Sequence, residues 1–248
     1  MSESTTRLWS RAQRYLANGH MVPARISLES LLQRDPAHIE ARLALGRIAQ
    51  VDGRIRDAVR CMLGVARDLP ADAGMISETA EILLGLGETL AARSCLDHPL
   101  LNETSDGKLL TRLAALRKML GEHTEALNLL NRAKAAGENS ANFRFHRALE
   151  LIFNGHMQEA AAELNSALDL QPTFGRAALA LTRLRKQTPE QNHLVDLRSR
   201  LAAVSPGSED HAALEFAFYK ELEDTGSYEE AWTALERGNR LMFARQHH

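Results

Sequence analysis

A glycine followed five residues later by an alanine recurs at one fixed step along this chain. The pairs are Gly19 and Ala24, Gly53 and Ala58, Gly87 and Ala92, Gly121 and Ala126, and Gly155 and Ala160, each 34 residues after the last. A period of that length is the mark of a repeat architecture, in which neighbouring units share one core and chain length stops being a guide to domain count. The 248 residues are therefore expected to form a single domain of stacked units.

The apolar spacing inside each period is helical. In the stretch from Ile39 to Pro70, Leu43, Leu45, Gly46, Ile48 and Ala49 mark a first helix, Gly53 a turn, and Ala58, Met62 and Val65 a second helix that must stop by Pro70. A mid-period glycine suits a helix end, where the chain needs a left-handed residue to reverse. Composition agrees: aromatics are 5% and hydrophobics 44%, rich in Ala and Leu, which favours close-packed helices over sheets. The expected fold is all-α, a right-handed α-solenoid of about seven helical hairpins.

The pattern resembles the tetratricopeptide repeat, a 34-residue helix-turn-helix unit with small residues at positions 8 and 20 and proline at 32. Position 8 is Ala12, Gly46, Ala80, Ala114 and Ala148, and position 20 is Ala24, Ala58, Ala92, Ala126 and Ala160. Among the first five units proline closes three, at Pro36, Pro70 and Pro172, while Thr104 and Glu138 replace it in two, and the sixth keeps it as Pro206. Units are expected at about 5–38, 39–72, 73–106, 107–140, 141–174, a degenerate 175–208, and 212–245.

Three departures carry expectations of their own. Pro99 should end the third unit's second helix early and leave 100–106 looser. The sixth unit has Thr188-Pro189-Glu190 where its turn glycine belongs, so Thr188 is expected to cap a helix that has Pro189 at its first position. In the seventh, Gly207-Ser208-Glu209-Asp210 reads as a spacer. Tyr219 then falls at the small position 8, which should keep that hairpin's helices apart.

The charge of −2, from 30 basic and 32 acidic residues, offers no global field for nucleic acid or anionic membrane, so neither is expected as a partner. No run of about 18 apolar residues and no leader-like N-terminus are visible, and a cytoplasmic location is expected. Cys61 and Cys95 hold equivalent positions of adjacent repeats and should be free thiols. No phosphate-binding glycine loop, His-Glu-x-x-His or Cys-x-x-Cys occurs. His20, His123 and His156 fall in separate turns that do not converge as metal ligands must. No catalytic residue, metal or cofactor is expected, and the chain reads as a non-enzyme.

In the repeats it resembles, first helices line a concave groove that holds a peptide or protein segment. The resemblance places Arg47, Gln50, Glu78, Glu81, Arg112, Lys118, Asn142, His146, Arg176, Arg183 and Lys186 there. Arginine on a rigid helix suits bidentate contact with carboxylates, so an acidic segment is the expected ligand. Trp9, Gln13 and Ala44 stand where the carboxylate clamp for chaperone tails would need Lys and Asn, so that tail is not expected.

The run from Ala213 to Trp232, with Glu236-Arg237-Gly238-Asn239-Arg240 and Leu184-Arg185-Lys186-Gln187-Thr188-Pro189, is similar to the last repeats of bacterial proteins in which such a domain precedes a sulfotransferase. That resemblance implies a substrate-recruiting or dimerising arm, with all chemistry beyond residue 248. The final helix lacks a polar capping helix, so Trp232, Leu241 and Phe243 are expected to be covered by further chain or by a second copy as a homodimer. His247 and His248 read as native residues or the edge of a tag.

Overall fold

The computed structural model describes residues 4–246, and His247 and His248 lie outside them. The chain divides after Ala136 into two compact units. The first contains α1 (Thr5–Ala17), α2 (Met21–Leu32), α3 (Ile39–Val51), α4 (Ile55–Arg67), α5 (Ala73–Gly85), α6 (Thr89–Leu96), α7 (Pro99–Glu103), α8 (Gly107–Met119) and α9 (His123–Ala135). The second contains α10 (Ala141–Phe153), α11 (Met157–Leu170), α12 (Gly175–Arg183), α13 (Leu194–Ala203), α14 (Glu209–Asp224) and α15 (Tyr228–Gln246). No strand occurs among the described residues, so the all-α solenoid class read from the period is the class observed.

The period is built from two local devices. At six of the hairpin turns a glycine takes a left-handed φ, from 70° at Gly53 to 85° at Gly226, and the next residue's N–H closes back onto the helix. His20 thus donates to the Tyr15 carbonyl at 2.8 Å, and His156 to that of Leu151 at 2.8 Å. This satisfies carbonyls the helix end would leave bare. At the start of the first helices, Ser4, His38, Asp72, Asp106 and Ser140 are N-caps in the same 34-residue register. Each side chain accepts a backbone N–H.

Close packing follows from the small positions. Ala12 and Ala24, Ala80 and Ala92, and Ala148 and Ala160 are all fully buried. At Gly46 a Cβ would lie 2.1 Å from the Met62 methyl. Larger apolar side chains fill the rest. Leu8, Leu28, Leu31 and Ile48 form one cluster of the first unit, and Met62, Ile76, Leu83, Cys95, Leu101 and Leu113 another. In the second unit Phe143, Leu151, Leu164, Leu197, Leu214 and Phe218 are buried.

The irregular units differ from expectation in instructive ways. α6 does end early, at Leu96, but the segment after it is not loose. Pro99 starts the short helix α7 at a position where its missing N–H costs nothing, and Leu101 is buried in the core. Thr188 and Pro189 do not open a helix either. Thr188 and Gln191 exchange backbone hydrogen bonds at 3.1 Å in a tight turn, and α13 begins only at Leu194.

The seventh unit has no spacer before its first helix. Ser208 is the N-cap, in register with Ser140, and the three extra residues lengthen α14 to 16 residues against 13 in α10. That lengthening also corrects the expectation for Tyr219. Its hydroxyl points outward to Glu223 Oε1 at 3.0 Å, and the close contact falls on Phe216, where a Cβ added to Gly238 would lie 2.8 Å from the ring. Here the second helix supplies the small residue.

Candidate functional site

The sequence-predicted groove residues lie on first helices, apart from Lys186, which follows α12. In the first unit they largely satisfy one another. Arg47 of α3 pairs with Glu78 of α5, and Arg112 of α8 reaches Glu81 of α5 with its Nε at 3.0 Å. The result is a ladder of exposed ion pairs across three first helices, in which opposite charges are already engaged. Such pairs contribute roughly 0–1 kcal/mol each and matter more for local charge than for stability. Gln50 and Lys118 are half-buried, beside α5 and in the last turn of α8.

The second unit presents a different surface. Asn142 is exposed, and His146 lies with its ring 5.6 Å from that of Phe145. Arg176 lies over two aromatic rings, 5.4 Å from the centre of Phe145 and 5.2 Å from that of Phe174. Cation–π contact of this kind contributes about 0.5–1 kcal/mol at exposed sites and fixes the guanidinium in place. Beyond it, Arg183 and Lys186 are exposed and form no ion pair among the described residues. Arg185, which the groove register did not select, is equally exposed and unpaired.

Arg183 ends α12, and Arg185 and Lys186 lie in the connection where the turn glycine is missing. α12 stops after nine residues, with Leu184 still in right-handed backbone, and the chain runs irregularly to α13. Two buried carboxylates of α14 hold that connection. Asp224 accepts the Gln187 N–H at 3.0 Å and also binds the Lys220 ammonium. Glu221, fully buried, accepts the His193 N–H at 2.5 Å and faces His193 Nδ1 at 2.6 Å.

The electrostatics follow from these contacts. The hydrogen bond to Glu221 raises the His193 pKa above its ordinary value, against an opposing effect of burial. Burial alone would raise the Asp224 carboxyl, but Lys220 and the Gln187 N–H outweigh it and hold the group below the usual carboxylate range. Glu215, buried on α14, takes both arms of the Arg237 fork at 2.7 and 2.8 Å, tying α15 to α14. Arg147 reaches buried Glu163 at 2.8 Å in the same way between α10 and α11.

α15 carries the remaining candidates. Trp232 is 63% exposed and Phe243 64%, while Leu241 is half-buried. Tyr228 is 70% exposed on the same helix. The indole N–H of Trp232 reaches only Glu236, 3.2 Å away on its own helix. No group of three or more His, Cys, Asp or Glu side chains among the described residues could hold a metal ion, and none of the described helices is long and apolar enough to cross a membrane.

This fold is that of tetratricopeptide-repeat proteins. A tetratricopeptide repeat protein from Parabacteroides merdae matches with a TM-score of 0.62 at 16% identity, over 97% of this chain and 94% of its own. PilF of Pseudomonas aeruginosa matches at 0.56 and 14% identity, over 92% and 96%. YrrB, described as a repeat protein with an unusual peptide-binding site, matches at 0.52 and 13%, over 84% and 97%. No family model and no curated protein matches the sequence.

Proposed function

We propose that this chain is a non-catalytic interaction scaffold that holds an acidic protein segment against its first-helix surface. The observation that carries the reading is the contrast between the two units. Arg47 and Arg112 are neutralised by Glu78 and Glu81, whereas Arg183 and Lys186 stand exposed without an ion-pair partner. An arginine unpaired in the free protein gives a carboxylate a new charge-assisted hydrogen bond rather than an exchange of one for another. The peptide-binding site in the name of YrrB adds precedent for the fold, not for these residues. Binding of a defined glutamate-rich peptide, measured by fluorescence anisotropy, tests it: Arg183→Glu with Lys186→Glu should weaken it at least about tenfold.

A second reading is self-association through α15, supported by the exposed Tyr228, Trp232 and Phe243 on one helix. Trp and Tyr are enriched among the residues that carry most of the energy of protein interfaces. The sulfotransferase-arm reading rests on the sequence run Ala213 to Trp232. The reading frame downstream of His248 tests it, and a frame encoding no sulfotransferase domain overturns it.

A further inference from the structure

Where one hairpin meets the next, a second helix packs against a first helix, and α11 against α12 is one such step. Gln158, Ala161 and Asn165 of α11 border one cavity with Leu181 and Leu184 of α12. Ala177, one turn earlier on α12, is fully buried. The step therefore sets a small and polar stripe of the second helix against an apolar stripe of the first.

α1 is a first helix with a different stripe. The period places Arg7, Arg11 and Arg14 where α12 has Ala177, Leu181 and Leu184, and where the second hairpin has Ala41, Leu45 and Ile48, none of them exposed. Arg7 and Arg14 are exposed and make no ion pair among the described residues, while Arg11 donates from its Nε to Ser27 Oγ at 3.2 Å. Together with Thr6 and Ser10 the three arginines line a shallow cleft of about 290 Å³.

α15 is a second helix with the matching departure. Gly226 and Ala231 stand 71 residues after Gly155 and Ala160, so Glu229, Trp232 and Glu236 occupy the positions of Gln158, Ala161 and Asn165. All three are exposed, and neither carboxylate has an ion pair among the described residues; Glu236 accepts only the Trp232 indole N–H. Glu230, off this stripe, is already taken by Arg198 at 2.7 Å. Arg7 and Arg14 are seven residues apart, as are Glu229 and Glu236, which is about 10.5 Å along a helix. Opposite charges therefore fall at one spacing on two faces that the fold elsewhere packs together.

We propose that α15 of one copy receives α1 of a second copy as α11 receives α12. Helices joined by a short connection run antiparallel, and Gln158 at the start of α11 borders the same cavity as Leu184 just past the end of α12. In that sense Arg14 meets Glu229, Arg7 meets Glu236, and Trp232 enters the cleft between them. The indole supplies buried area, and the arginine–carboxylate pairs fix the register. The inference rests on the reading of α15 as a self-association surface and assigns what lies opposite it. A second α15 would bring like charges together, whereas the arginine face of α1 complements them. The contact is heterologous, so each chain offers both a donor and an acceptor face.

Sedimentation velocity of the full chain and two variants tests it. A contact between two helix faces lies at the small end of protein interfaces, so the wild type should associate at about 10–100 µM. Arg7→Glu with Arg14→Glu leaves α15 intact, and Trp232→Glu leaves α1 intact; each should weaken association at least about tenfold. An equimolar mixture of the two variants should form a one-to-one complex, through the intact α15 of the first and the intact α1 of the second, which also shows that both fold. If the arginine variant associates as the wild type does, or the mixture stays monomeric while the wild type associates, the assignment of α1 is overturned and the α15 reading stands. A wild type that stays monomeric, or a Trp232→Glu variant that associates as the wild type does, overturns both.

Discussion

Gly175 donates its backbone N–H to Asp210 Oδ1 at 2.9 Å, and a Cβ on Gly175 would lie 2.1 Å from the Asp210 carbonyl oxygen. The N-cap register of the chain runs through Phe174, which has no side chain to cap α12. The first turn of α14 supplies the cap instead, and only glycine lets the two helix starts come that close. Gly175→Ala meets backbone that cannot step aside, so we expect a loss of about 1–3 kcal/mol or more in denaturant unfolding. Gly155→Ala, in open space but at φ 82°, should cost only about 1–2 kcal/mol. Asp210→Ala should cost about 1 kcal/mol, as a lost cap does.

Glu221 is a fully buried carboxylate whose partners are the His193 ring and N–H. Glu221→Ala leaves the His193 ring and N–H without their acceptor, at a cost of about 1–3 kcal/mol, and should be the most destabilising single change in the connection. Amide exchange over 184–193 should rise before that of α10 and α11.

The same pair makes stability depend on pH. The folded His193 pKa is raised by Glu221, so the protonated ring favours the folded state. Its contribution is fully present below the unfolded value of about 6.5 and is lost as pH rises through the higher folded pKa. Asp224 acts in the opposite sense at low pH, because its folded pKa is lowered. Its contribution is present above the unfolded value and lost as pH falls through the folded one. Stability followed from neutral pH upward should decline by an increment that His193→Gln removes.

The two thiols should differ in reactivity. Burial pushes Cys95 up to about 11, and burial with the nearby Asp57 carboxylate raises Cys61, which is only half-buried. Since the thiolate is the reactive form, both should alkylate more slowly than a free thiol, Cys61 before Cys95, by mass spectrometry of iodoacetamide-treated native protein.

Self-association through α15 predicts a dimer by light scattering that Trp232→Glu or Phe243→Glu renders monomeric with little loss of fold, because both side chains are more than half exposed. A wild-type monomer across the accessible concentration range contradicts that reading.

The hairpins were legible in the sequence because each is a local device. A left-handed glycine, an N-cap and two small residues recur at fixed offsets, and short-range geometry alone decides what they form. The irregular units were legible only as places where the pattern fails. Nothing near Thr188 announces that α14 will hold the connection through Glu221 and Asp224, more than 25 residues later, or that three extra residues will lengthen α14 and set Phe216 against Gly238. The repeat register places the charges on the first helices. It does not give their pairing, because Arg47 with Glu78 and Arg112 with Glu81 depends on how neighbouring repeats stack.

The proposed contact of an acidic segment with unpaired Arg183 and Lys186 is open to a simple binding measurement. Anisotropy of a fluorescein-labelled glutamate-rich peptide should rise on titration with the wild-type chain and weaken with added salt, since exposed charges are screened beyond a Debye length of about 8–10 Å. It should weaken at least about tenfold in the Arg183→Glu, Lys186→Glu variant, while exchanging the partners of a neutral pair, Arg47→Glu with Glu78→Arg, has little effect because the pair keeps its net charge. Equal affinity of the wild-type and doubly reversed chains for that peptide would contradict the account.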